Sequence, residues 1–275
     1  MAWARRFRPD RGGVRDDAGS SQGAPLDQQR NGLTVPMLRI AGIATAIAAL
    51  LAAGSSAAVA QSPPPTATPA SVPKCQGWVA LTFDDGPTPT TKKLATALQR
   101  AGMQATFFNV GAKVQADVAS VKAEMKVGAV ENHTYSHPFL DELDPQAAAN
   151  EILGTSQIIS SVTKRPVKYW RAPFNRFTAE NLASATSQGL RHVSWTIDTR
   201  DWDTGATTAS VIAALANVHD QDIVLLHDGY DITVNAVPEI AKLLKIKGLC
   251  TGKLANSQTP IVSAWGDQSY VKVVK

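Results

Sequence analysis

The sequence predicts an α/β fold: a distorted (β/α) barrel of about seven parallel strands. Three observations point to it. Strand and helix signals alternate from Cys75 onward. Ile223-Val224-Leu225-Leu226 is apolar throughout, as a central strand covered on both faces must be. Six or more strand–helix units also follow one another before Gly248, and a parallel sheet of that many units closes on itself.

Taken in order, Trp78-Val79-Ala80-Leu81 begins a strand over 78–83, and Gly86-Pro87 stops it. A helix over 91–101 ends at Gly102. An apolar run covers 105–110, a helix is expected over 112–126 up to Gly128, and a brief strand over 129–131. Asp144 is an N-cap, followed by Pro145 in the first helical position, and opens a helix to about 162. A strand over 167–171 follows, then a helix capped by Thr178 and ended by Gly189. A strand over 192–197, a helix over 208–218, a strand over 223–227 and a helix over 234–246 complete the series. The tail from Lys253 has no clear place, and 270–274 reads as an edge strand or a loose end.

The 275 residues are 44% hydrophobic, enough for a sizeable core. Seven of the 27 basic and four of the 23 acidic residues lie in 1–60, leaving 20 and 19 for the rest. The excess charge therefore belongs mostly to the leader and gives no reason to expect a nucleic-acid partner. Residues 1–36 are polar and aperiodic; no packed structure is expected there, and Met37 reads as the true start. An Ala-rich apolar run follows and ends in Ala58-Val59-Ala60-Gln61, which suits a signal peptide over 37–60 cut after Ala60. The competing reading is an uncleaved anchor, and Gly54, Ser55 and Ser56 weaken it. Residues 61–74 form a Pro-rich linker, 75–252 the catalytic domain and 253–275 a C-terminal extension. Cys75 and Cys250 are the only cysteines, and one pair in an exported protein implies one disulfide.

Polar clusters fall where strands end. Asp84-Asp85 follows the first strand, His133-Thr134-Tyr135-Ser136-His137 the third and Arg171-Ala172-Pro173-Phe174 the fourth. Asp201-Trp202 comes after the fifth, and His227-Asp228 ends the sixth. In a parallel barrel those ends share one face, where active sites are built. Two His four residues apart are about one helical turn apart and can reach one cation. With one Asp they make a site with open positions, and the neighbouring Asp stays free as a base. Each residue alone also has an ordinary structural reading: a turn, a surface ion pair, a core histidine.

Together the motifs resemble the polysaccharide deacetylases of the NodB-homology group, carbohydrate esterase family 4. Thr82-Phe83-Asp84-Asp85-Gly86-Pro87 matches the first motif, His133 to His137 the second, Asp201-Trp202 the fourth and Leu225-Leu226-His227 the fifth. Arg171-Ala172-Pro173-Phe174 resembles the third, with Phe where Tyr is usual. Cys75 and Gly248-Leu249-Cys250 are similar to secreted actinobacterial members that act as acetylxylan esterases and chitooligosaccharide deacetylases. The resemblance implies that Asp85, His133 and His137 bind one divalent metal, zinc in the first place, with cobalt or nickel as alternatives. It implies Asp84 as the base for the attacking water and Arg171 as the group that keeps Asp84 ionised. The Phe174 N–H would hold the oxyanion, His227 would be the general acid, and Asp201 would charge that imidazole. Leu225 and Trp202 would wall the acetyl slot. His192 and His219 match no motif and are left structural.

The expected function is secreted, metal-dependent deacetylation of N-acetyl groups in chitin-oligosaccharide or peptidoglycan-type polymers. The alternatives are acetylxylan esterase action and a silent carbohydrate-binding module. A serine esterase is disfavoured, because no Gly-x-Ser-x-Gly occurs from Cys75 onward; Gly19-Ser20-Ser21-Gln22-Gly23 lies in the leader, with no strand before it. The expected partner is an acetylated poly- or oligosaccharide, with the chain a monomer.

Overall fold

The computed structural model describes residues 75–263 and 266–275. The expectations for 1–36, 37–60 and 61–74 lie outside the described residues. The first elements are β1 (Gly77–Gly86), α1 (Thr91–Ala101), β2 (Ala105–Asn109), α2 (Gly111–Ala116), α3 (Val118–Glu124) and β3 (Gly128–Asn132). Then come α4 (Pro145–Thr163), β4 (Tyr169–Trp170), α5 (Ala179–Ser187), β5 (Arg191–His192), β6 (Ile197–Asp198), α6 (Thr208–Ala214) and β7 (Ile223–His227). The last are α7 (Asp231–Ile246), β8 (Leu249–Thr251), β9 (Lys253–Val262) and β10 (Gln268–Val274).

Seven strands run in the order β5-β4-β3-β2-β1-β7-β6, and β8 joins the start of β1. Every pairing among these eight is parallel. The sheet curls into a distorted barrel that stays open between β5 and β6. Strand periodicity of two separates its faces. Val79, Leu81 and Phe83 of β1, with Val224 and Leu226 of β7, face outward onto α1 and α7. Ala80, Ile223 and Leu225 face inward with Phe108, Tyr169 and Trp195. Cys75 and Cys250 form the expected disulfide, their Cα atoms 5.6 Å apart. Among the described residues no helix is long and apolar enough to cross a membrane.

The structure corrects three local expectations and places the tail. The helix over 112–126 is two helices, broken at Asp117, which leaves helical geometry (φ −137°) to accept the Ser120 N–H and so cap α3. The strand over 192–197 is split between opposite edges of the sheet. Val193 N–H bonds Trp170 O, whereas Thr196 N–H bonds Ile223 O, so residues 193–196 cross the open seam. The helix over 208–218 stops at Ala214 and continues as turns. The tail is a strand and not a loose end: 270–274 lie in β10, which pairs with β9 in an antiparallel hairpin. It packs Val271 and Val273 among the interior residues, and Ser269 Oγ accepts the Ser194 N–H at the seam.

Candidate active site

Asp84 and Asp85 lie at the end of β1, where neighbours in a regular strand would point to opposite faces. The register against β2 slips between Asp84 and Gly86, and Asp85 takes φ +71°. This β-bulge uses the left-handed region that Asp tolerates better than most residues. Both carboxylates consequently face His133, and Asp85 faces His137 as well. His133 Nε2 lies 3.7 Å from Asp84 Oδ2 and 3.4 Å from Asp85 Oδ1, and His137 Nε2 lies 3.1 Å from that same Asp85 oxygen.

The two His are not on a helix, as their spacing had suggested. Residues 133–137 form a loop with φ of +64° at Thr134 and +63° at His137. Its backbone is held from several elements. Thr134 O and Tyr135 O accept the N–H groups of Gly111 and Ala112, and Asn132 Oδ1 accepts the Thr134 N–H. Glu151 of α4 clamps the loop: Oε2 accepts the N–H of Tyr135 and of Ser136, and Oε1 the Ser136 hydroxyl, each at 2.8 Å. Glu151 was not among the sequence candidates, because its only signal is a partner fifteen positions away.

Asp85, His133 and His137 offer one oxygen and two nitrogens, all within 4.8 Å of one another. Asp85 Oδ1 is a buried atom that faces the imidazoles and, among the described residues, no other donor. His133 Nδ1 lies 2.9 Å from Arg171 O, which places the ring proton there and leaves the Nε2 lone pair free for a ligand. Burial works against the charge on Asp85, yet the two imidazoles hold its carboxyl far below the usual range. This donor set fits a divalent cation of the zinc class.

Asp84 and His227 are register partners on neighbouring strands, so the remaining groups share the same rim. Arg171 is fully buried in the barrel, 4.3 Å from the Phe108 ring and 5.5 Å from the Trp195 ring. Its Nη1 donates at 2.8 Å to both Asp84 Oδ1 and Thr82 Oγ1, and Nε and Nη2 donate to Val193 O and Ser194 O. His227 Nδ1 lies 2.7 Å from Asp201 Oδ1, and Asp201 Oδ2 accepts the His227 N–H and the Thr233 hydroxyl. Burial disfavours a charged His227, but Asp201, then Asp84 and Asp85, leave its pKa above the ordinary histidine value.

The other sequence candidates are spread around this centre. Phe174 is 56% exposed with φ +58°, its ring 4.7 Å from His137 and 4.4 Å from Phe139. Leu225 is buried on the inner face of β7. Trp202 is half exposed beneath the Arg200 guanidinium. Asp228 turns away from the rim and accepts the hydroxyls of Thr88, Thr90 and Thr91. His192 is buried against Trp170 and Phe177, accepts the Ala172 N–H and is pushed by burial to a pKa of about 3.

Comparison with known proteins gives a consistent family. A family model described as polysaccharide deacetylase matches residues 71–193. A bifunctional xylanase/xylan deacetylase of Cellvibrio japonicus is 33% identical over 182 residues, which are 66% of this chain and 27% of that enzyme. The chain thus spans about a quarter of that relative's length. A chitooligosaccharide deacetylase of a Bradyrhizobium strain is 36% identical over 155 residues, 55% of this chain and 71% of that protein. Among solved structures, a family 4 carbohydrate esterase from Streptomyces lividans, in complex with acetate, aligns with a TM-score of 0.63 at 32% identity. That alignment covers 71% of this chain and 97% of the esterase. On its motifs, its sheet and these likenesses, the chain belongs to the polysaccharide deacetylases of carbohydrate esterase family 4, the NodB-homology group.

Proposed function

We propose that the protein removes N-acetyl groups from chitin-oligosaccharide or peptidoglycan-type polymers and releases acetate. The observation that carries this reading is the division of labour between adjacent acids. Asp85 Oδ1 lies 3.4 and 3.1 Å from two imidazoles, whereas Asp84 is tied through Oδ1 to a buried guanidinium and only its Oδ2 approaches His133, at the longer distance of 3.7 Å.

A divalent cation held by Asp85, His133 and His137 would polarise the acetyl carbonyl and lower the pKa of water beside it. Asp84 takes the proton from the attacking water, and Arg171 keeps its carboxylate ionised and aimed. The Phe174 N–H holds the developing oxyanion, a role that needs no side-chain hydroxyl. His227, charged with the help of Asp201, delivers a proton to the departing nitrogen. Leu225 and Trp202 form the walls around the acetyl methyl. The Cys75–Cys250 bridge supports export, with 37–60 as the signal, and the carbohydrate polymer is the expected partner of a monomeric enzyme.

The printed name of the Cellvibrio relative favours a second substrate, the O-acetyl ester of xylan, cleaved by the same groups. Acetate release from chitooligosaccharides, peptidoglycan and acetylxylan, measured side by side, separates the two. Chelation should abolish release and added zinc restore it, and Asp84→Asn should lower kcat by about 10²- to 10⁴-fold. Unchanged turnover in Asp84→Asn would remove Asp84 from the role of base. Metal binding with no acetate from any of the three polymers would favour a silent binding module instead.

A further inference from the structure

Gly86 follows Asp85, and its bareness has a spatial cause. A Cβ there would meet Asn109 Oδ1 at 2.5 Å, and both Glu124 Oε1 and Asp228 Oδ2 at 3.1 Å. Three oxygens crowd one point behind the proposed metal-binding turn. Asp228 has donors of its own, the hydroxyls of Thr88, Thr90 and Thr91. The other two oxygens, Asn109 Oδ1 and Glu124 Oε1, are buried and have no hydrogen-bond partner among the described residues. Their residues are nonetheless joined, because Asn109 Nδ2 donates to Glu124 Oε2 at 2.7 Å.

An ionised Glu124 bound to the carboxamide in this way leaves Asn109 Oδ1 and Glu124 Oε1, 2.5 and 3.1 Å from the same point, without a donor, a costly arrangement in a dry interior. Turning the amide over only changes which oxygens collide. A carboxylic acid removes the conflict. Its O–H on Oε1 donates to Asn109 Oδ1 and closes a head-to-head ring of two hydrogen bonds, so that one proton satisfies both orphaned atoms. Burial drives the Glu124 carboxyl the same way, well above the usual carboxylate range; the Asn109 bond opposes this, and the like charges of Asp228 and Asp117 add to it.

We infer that Glu124 is a neutral carboxylic acid paired head to head with Asn109, and that this pair is a positioning device for the metal-binding residues. Asn109 touches the backbone beside two proposed ligands. It is the register partner of Gly86, next to Asp85, and its carbonyl accepts the His133 N–H at 3.0 Å. The Gly86 carbonyl in turn accepts the Val110 N–H at 2.8 Å. The pairing is independent of what the enzyme hydrolyses; the positioning role rests on the metal reading of the site.

Infrared difference spectroscopy of wild type against Glu124→Gln, near pH 7, tests the pairing. The expected result is a protonated-carboxyl carbonyl stretch present in wild type and absent from the variant. A carboxylate stretch would overturn it, as would a melting temperature that rises with sodium or calcium in wild type alone, since a cation would then sit between the oxygens. Zinc affinity, measured by competition with a chromogenic chelator, tests the positioning. Glu124→Gln can form the same ring through its amide and should bind zinc within about two-fold of wild type, whereas Glu124→Ala should bind about ten-fold more weakly or worse. Should Glu124→Ala fail to fold, Glu124→Met, which fills the space without a proton to donate, takes its place. Equal affinity in all variants overturns the positioning role. A wild type that binds no zinc removes the metal reading and the positioning role together, while the infrared band still decides the pairing.

Discussion

His227 shows how neighbours set the charge of one residue. Burial alone would discharge the imidazole, and a discharged imidazole cannot act as an acid. Asp201 reverses this with a 2.7 Å bond to Nδ1, and Thr233 fixes the far side of that carboxylate. Because the folded pKa is raised, the charged form persists to higher pH than for a free histidine. Activity that needs this acid should fall as pH rises through that value. Asp201→Asn removes the carboxylate but keeps the shape, so the alkaline limb of kcat/KM should move to lower pH and the maximum should fall. An alkaline limb in the same place would assign the titration to another group. Asp84, Asp85, His133, His137, Arg171, Asp201 and His227 could be picked out from short motifs, because the chemistry fixes their types and spacing. Glu151, Thr233 and Glu124 could not. Each supports the site through a partner on another element, and no local pattern records such a contact.

Elements were legible where their signals were local. β1, α1, α4 and β7 each carry an apolar run or a cap within their own residues, and they appear where expected. Residues 192–197 misled, because Val193 and Trp195 alternate like a strand while their neighbours bond to opposite edges of the sheet. The place of the hairpin could not be read, because Val271 and Val273 pack on residues scattered from Ala80 to Leu225. Glu131 of β3 is a further long-range device. Its Oε2 accepts the N–H of Lys168 and of Tyr169 at 2.9 Å, where β3 and β4 share one register pair. Burial raises its pKa to about 7. A carboxyl with a raised folded-state pKa contributes stability that is fully present below about pH 4.5 and is lost as pH rises through about 7. The loss is on the order of 3 kcal/mol. Glu131→Gln keeps an acceptor for both N–H groups, so its melting temperature should depend less steeply on pH over that window. An unchanged slope would place the titration elsewhere.

The whole molecule explains why residues from Asp84 to Thr233 meet. Parallel strands deliver their C-terminal ends to one rim, and every strand that carries a site residue ends there. The disulfide lies toward the other end, where Cys250 of β8 pairs beside Trp78 near the start of β1. It closes almost the whole described chain into one loop, a constraint that acts mainly on the unfolded state. Cys75→Ser with Cys250→Ser should therefore cost about 2–5 kcal/mol of stability while leaving kcat unchanged below the melting temperature. A fall in kcat at full folding would tie that end to the rim. The central claim is that this convergence creates a single cation site beside a free base. A crystal grown with zinc, measured at the zinc absorption edge, tests it most directly. One anomalous peak is expected, bonded to Asp85 Oδ1, His133 Nε2 and His137 Nε2, with both Asp84 oxygens outside bonding distance. A peak elsewhere, or one bonded to Asp84, would contradict it.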